Sequence, residues 1–184
     1  MQKKNVANVL TSFRLVGSLG LIFLEPLSGA FYVLYSLCGL TDALDGAAAR
    51  KWGGESQFGA RLDSVADFAF YTVMLVKVLP RLLELLSQKF WICLGGVAAV
   101  RVVSYSTAAV KFHCFASQHT WLNKLTGLLV FGVPYLMGQS WFAGYAWMVW
   151  TAAALGATEE LAIHLTSREY RPERKSLWER KKKA

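Results

Sequence analysis

Six apolar blocks, at 15–24, 28–41, 68–80, 90–110, 125–138 and 141–157, leave this chain few folds to choose from. Each block, with its flanks, reaches the roughly 20 residues that a helix needs to cross a bilayer core. A soluble helical bundle would instead show narrow apolar stripes with charged faces between them. Most of these blocks are apolar all round, and only 17% of the residues are charged, against roughly 25% in ordinary soluble domains. The expected fold is therefore all-α, a polytopic membrane protein of six helices over residues 1–167, followed by a basic tail over 168–184. The spans are expected near 6–24, 28–46, 58–80, 90–110, 122–138 and 141–165. Pro80 is expected to end the third span and Pro134 to kink the fifth.

The charge distribution orients this arrangement. With the N-terminus inside, fifteen of the twenty Lys and Arg fall in inner segments and only Arg81 and Lys89 fall outside. Arg14, Lys77 and Arg101 lie within spans. Such a bias places both termini in the cytoplasm. The tail "RPERKSLWERKKKA" reads as a solvated run beside anionic headgroups, not as a nucleic-acid site. Trp91, Trp121, Trp141 and Trp178 fall near span ends, as an aromatic belt requires. Cys38, Cys93 and Cys114 are odd in number and scattered, so they read as small apolar residues, not as a disulfide or zinc set. Arg14 interrupts the first apolar run and no small-residue cleavage site follows it, which argues against a signal peptide.

Four aspartates stand against this apolar background. Asp42 and Asp45 are three apart at the end of the second span, and Asp63 and Asp67 are four apart at the start of the third. Both spacings put the pair on one helical face. A short loop makes the two helices antiparallel neighbours, so the faces meet at the cytoplasmic edge. Four converging carboxylates repel, and hard divalent cations with oxygen shells are the natural compensation: Mg²⁺ or Mn²⁺ by geometry, with Ca²⁺ as a further option. Gly46, Ala47, Ala48, Ala49 and Gly59 keep the surface free of bulk, and Arg50 offers a planar fork for phosphate. Metal, arginine and a small-residue cleft describe a diphosphate site, in which two metals could hold a leaving phosphate.

The pattern D-x-x-D-G-x-x-A-R, eight residues, then G-x-x-x-D-x-x-x-D resembles the signature of the CDP-alcohol phosphotransferases. Asp42, Asp45, Gly46, Ala49, Arg50, Gly59, Asp63 and Asp67 all match it, and "NVLTSFR" from Asn8 to Arg14 resembles the N-x-L-T-x-x-R opening of many members. The resemblance implies a phospholipid-synthesising transferase that displaces CMP from a CDP-linked donor, usually CDP-diacylglycerol, with an alcohol hydroxyl. It implies that the four aspartates bind two divalent ions and that Asp67 is the general base. Gly46 and Arg50, with Ser56 and Asn8, would contact the donor's nucleotide diphosphate. It also implies a homodimer, and a bacterial plasma-membrane location is expected. A divalent-cation carrier and a catalytically silent member of the family are the alternatives.

The acceptor stays open at this stage. Arg101, Lys111 and Lys124 would suit a phosphorylated alcohol such as glycerol 3-phosphate or inositol phosphate. Glu159, Glu160 and His164 would either pair with those bases or favour an amine-bearing acceptor such as serine.

Overall fold

A computed structural model describes residues 4–52, 57–113 and 120–167, apart from the side chains at 4–8, 43, 45–52, 57–58 and 60–61. The described residues form six helices and no strand: α1 (Lys4–Phe23), α2 (Gly29–Trp52), α3 (Gln57–Leu85), α4 (Gln88–Phe112), α5 (Trp121–Leu136) and α6 (Phe142–Thr166). The chain divides into two compact units, Met1–Glu84 and Leu85–Ala184. By length and composition, α4 is the one described helix long and apolar enough to cross a membrane by itself, and Val9–Phe23 is a shorter apolar stretch.

Two boundaries differ from the sequence expectation. Pro80 does not end the third helix, which continues through it to Leu85. Proline removes one backbone donor and crowds the preceding turn, but its neighbours go on in helical register. Arg81 and Glu84 add an i,i+3 ion pair at 2.6 Å beyond it. The segment "RLLELLSQKF" is thus mostly helix, and the stretch between α3 and α4 is only residues 86–87. The second helix also runs past 46 to Trp52, so the first half of the aspartate motif is wholly helical.

In the first unit, α1 is built inside out. Thr11, Arg14 and Ser18, spaced three and four apart, are buried, while Val9, Phe13, Val16, Leu19, Ile22 and Phe23 are exposed. A helix in water does the opposite, because apolar surface drives burial there. The Ser18 hydroxyl donates to the Arg14 carbonyl at 2.7 Å, and the Thr41 hydroxyl to the Cys38 carbonyl at 2.8 Å, so both stay satisfied away from water. On α2 the buried face is Phe31, Tyr35, Cys38 and Thr41, again with Val33, Leu37, Leu40 and Leu44 outward.

Small residues let α1 and α2 approach. A Cβ placed on Gly17 would stand 2.8 Å from Cys38 Sγ and 3.4 Å from a Leu34 methyl, and one on Gly20 would stand 3.2 Å from Leu34. The turn between the helices passes through Leu27 in the left-handed region, φ 62°. Ser28 then accepts from the Phe31 amide at 3.2 Å, covering an orphan donor at the start of α2. The third helix joins through Phe70, stacked on Tyr35 with ring centroids 5.6 Å apart. Its Lys77 donates to the Leu24 carbonyl at 2.9 Å, just past the end of α1. That contact serves a carbonyl the helix cannot pair and sets a cation at the negative end of its dipole.

In the second unit α6 packs against both α4 and α5. Phe90 meets Trp147 edge to face at 5.3 Å, and the Tyr145 hydroxyl donates to the Leu129 carbonyl at 2.6 Å. Thr120 caps α5 by accepting from the Asn123 amide. Cys38 is buried, Cys93 is half-buried, and both are free thiols.

The close approach of α1 and α2 makes a stability prediction. Gly17→Val should lower stability by about 1–3 kcal/mol, because the added methyls meet Leu34 and Cys38 in a packed seam. Gly95→Val, where nothing lies within 4 Å of the new Cβ, should be close to neutral. Thermal unfolding of both variants in detergent checks this, and equal losses would remove the seam from the explanation.

Candidate active site

Three helices deliver the charged residues of the first unit. Arg14 sits in the middle of α1, Asp42 on α2, and Asp63 and Asp67 lie one turn apart on α3. The Arg14 guanidinium is the hub. Its Nη1 donates to Asp42 Oδ1, while its Nη2 lies 2.5 Å from Asp63 Oδ1 and 3.1 Å from Asp67 Oδ1. One planar cation therefore links all three helices, using the fork geometry that lysine lacks.

Burial gives the cluster a direction. The Arg14 side chain is 1% exposed, whereas those of Asp42, Asp63 and Asp67 are 56%, 36% and 44% exposed. The arginine thus approaches from the interior, and the carboxylates open outward. One oxygen from each carboxylate lies within 4.8 Å of the other two. An octahedral Mg²⁺ or Mn²⁺ with bonds near 2.1 Å spaces its oxygens about 3.0 Å apart when adjacent and about 4.2 Å when opposite. A small inward movement of the side chains would bring these oxygens onto one ion. Alternatively, two ions about 3.5–4 Å apart would share them. The donors are all hard oxygens, so the set fits Mg²⁺ or Mn²⁺ and does not suit zinc or copper.

The aspartate motif is thus brought together at Asp42, Asp63 and Asp67. The side chain of Asp45 and those of the expected donor contacts Asn8 and Arg50 lie outside the described residues, as do the surroundings of Gly46 and the whole of Ser56. Sequence reasoning missed the part Arg14 plays. The signal was available, since a lone arginine inside an apolar run has to find an anion.

The basic residues expected to meet the acceptor have partners in the second unit. Arg101 donates from Nη1 to Glu160 Oε2 at 2.9 Å and from Nη2 to Asn123 Oδ1 at 2.8 Å. Asn123 Nδ2 in turn donates to the same Glu160 oxygen at 3.3 Å. Glu160 is fully buried and Arg101 is 25% exposed. Gly156 makes room for this arrangement, because a Cβ there would stand 2.8 Å from Asn123 Oδ1. Lys111 donates to the carbonyls of His164 and Leu165, at 3.0 and 2.7 Å, near the end of α6. Lys124 lies 5.3 Å from the centre of the Trp121 ring, a cation–π contact. His164 is fully buried with Nδ1 3.0 Å from the Ser104 hydroxyl. Of the two expectations for Glu160, the geometry matches pairing with a base.

The chain is similar to known proteins along most of its length. The sequence profile of the CDP-alcohol phosphatidyltransferases matches residues 4–163. A CDP-diacylglycerol–glycerol-3-phosphate 3-phosphatidyltransferase of Cereibacter sphaeroides is 40% identical over 78 residues, 39% of this chain and 35% of that protein. The enzyme of that name from Haemophilus influenzae is 34% identical over 103 residues, 53% of each chain. The one from Salmonella choleraesuis is 25% identical over 154 residues, 79% of this chain and 77% of its own. The match thus spans about a third of the first relative's length and about half of the second's. No solved structure matches the chain. With the profile extending from the start of α1 almost to the end of α6, the chain belongs to the CDP-alcohol phosphatidyltransferase family.

Proposed function

We propose that this chain is an integral membrane enzyme that transfers a phosphatidyl group from CDP-diacylglycerol to glycerol 3-phosphate and releases CMP. The observation that carries this reading is the convergence of Asp42, Asp63 and Asp67 around the buried Arg14, on helices that also turn many apolar residues outward. The names of the relatives support the donor and the acceptor. The six helices are proposed as six spans with the carboxylates at the cytoplasmic edge and both termini inside. Outward-facing apolar residues along α1 and α2 support that reading, since lipid is the solvent in which such faces are favourable. The chain is further proposed to work as a homodimer in a bacterial plasma membrane.

In the proposed reaction an acceptor hydroxyl oxygen attacks the phosphorus that bears the diacylglycerol. The bond from that phosphorus to the CMP oxygen breaks, and CMP leaves. Divalent ions bound to the aspartates would supply charge neutralisation at the diphosphate. Asp42, Asp45 and Asp63 would hold them. Asp67 would take the hydroxyl proton as general base and share in the coordination. Arg50, Gly46, Asn8 and Ser56 would orient the nucleotide diphosphate. The bare-cation carrier is disfavoured because Asp42, Asp63 and Asp67 sit on continuous helices, whereas carriers place ligands on broken helices near mid-bilayer.

CMP release from CDP-diacylglycerol is expected only with divalent metal, and only when an acceptor alcohol is present. Among glycerol 3-phosphate, inositol phosphate and serine, glycerol 3-phosphate should be the substrate. Robust CMP release in excess EDTA would defeat the metal assignment, and preference for serine would defeat the acceptor. Asp67→Asn at saturating Mn²⁺ should retain donor binding while turnover falls by about 10²–10⁴. Near-normal turnover would leave the proton to another group.

Arg101, Lys111 and Lys124 remain the proposed acceptor contacts, and Arg101 separates two roles. Arg101→Gln strands the buried Glu160 carboxylate and should cost about 3 kcal/mol, the low end for a broken buried pair because Arg101 is partly exposed. Adding Glu160→Gln should recover most of that stability. If the double variant is stable but its KM for glycerol 3-phosphate is raised at least about tenfold, Arg101 also binds the acceptor phosphate; an unchanged KM restricts it to the pair.

A further inference from the structure

Arg14 carries an inference beyond its place in the motif. Among the described residues the cluster is unbalanced, with one guanidinium facing three carboxylates. Carboxylate oxygens within 4.8 Å of one another repel, and water screens them only in part. Two of the three pairs cross from α2 to α3, and they would push those helices apart if nothing stood between them. The group between them is an arginine that is 1% exposed, which comes from within while the carboxylates face out.

We infer that Arg14 is a built-in counter-cation that keeps the carboxylate site assembled before metal arrives, and that a divalent ion partly replaces it in that role. The second half rests on the proposed metal binding, and the first does not. Arg14 touches neither substrate nor the reacting phosphorus in this assignment; it is a positioning residue. Its charge neutralises one aspartate and leaves a net deficit for the outer ions to fill. A shared task has a thermodynamic signature, since two stabilisers of the same carboxylates are less than additive.

The test uses the full-length protein in detergent, with thermal unfolding followed at fixed neutral pH. In EDTA, Asp63→Asn should lower the Tm of the parent, because it weakens the hub. In an Arg14→Gln background the same Asp63→Asn change should raise the Tm or leave it unchanged, because it now removes repulsion. An equal loss in both backgrounds would overturn the counter-cation role and make Arg14 a packing residue. In the second arm, Mn²⁺ should raise the Tm of Arg14→Gln by at least about 3 °C more than it raises that of the parent. Equal shifts would overturn the interchange. No Mn²⁺ shift in either protein would overturn the metal reading and the interchange with it, while the EDTA cycle still decides the counter-cation role. Should Arg14→Gln fail to fold, Arg14→Lys keeps the charge but not the fork, and its Mn²⁺ shift should exceed the parent's by a smaller margin. A lysine variant that gains nothing from Mn²⁺ beyond the parent's shift would overturn the interchange in that background too.

Discussion

A guanidinium withdrawn from water must find anions, and in this chain that requirement organises the first unit. Arg14 reaches Asp42 on α2 and both Asp63 and Asp67 on α3 from the middle of α1. Burying a charge without partners is prohibitive, whereas a cation gripped by several carboxylates is tolerated. The same contacts bring three acidic side chains from residues 42, 63 and 67 to within 4.8 Å. Fold and site thus share one interaction. The helices are held where the chemistry needs them because the charge has no other place to go.

Around that hub polar residues share the interior with apolar ones. Thr11, Arg14, Ser18 and Thr41 are buried beside Leu21, Phe31 and Cys38, while many other valine, leucine and phenylalanine side chains point outward. In the proposed membrane placement helices gain nothing from hiding apolar residues from one another, so close contact and satisfied polar groups would be the adhesive. Gly17 and Gly20 provide the contact by letting Leu34 and Cys38 approach the backbone of α1. Hydroxyls of Ser18 and Thr41 bond to carbonyls on their own helices. Lys77 reaches the Leu24 carbonyl and ties the far end of α3 to the end of α1. The unit is secured at two levels, by Arg14 at the carboxylates and by Lys77 at the opposite end of α1.

The number of helices and most of their bounds were legible because apolar blocks and turn residues are local signals. One of the two errors came where a single residue was given too much weight. Pro80 was expected to stop α3, yet one missing backbone donor does not outweigh the helical register of Arg81 to Leu85. The aspartates were legible as two helical pairs, since spacings of three and four translate directly into one face. Arg14 was not legible as their partner. It lies 28 residues from Asp42 and 49 from Asp63, and periodicity says nothing about contacts at that distance. For Glu160, sequence offered either pairing with the bases or an amine-bearing acceptor, and no means to choose. The choice fell to Gly156, whose missing side chain lets Asn123 sit between Arg101 and Glu160.

The two arginine clusters show what separates a site from a structural pair. Arg101 and Glu160 cancel one another, Asn123 bridges them, and the carboxylate is fully buried. Such a pair is balanced one charge to one, and only the quarter-exposed arginine is left to meet the proposed acceptor. Arg14 faces three carboxylates that are each more than a third exposed. Among the described residues that group carries surplus negative charge with its oxygens turned outward, the balance that the proposed divalent ions would complete. Hard cations suit the oxygens, and a diphosphate, itself anionic, could approach only once such cations are in place. The order of events in the proposed reaction follows from that sign: arginine first, metal second, nucleotide third.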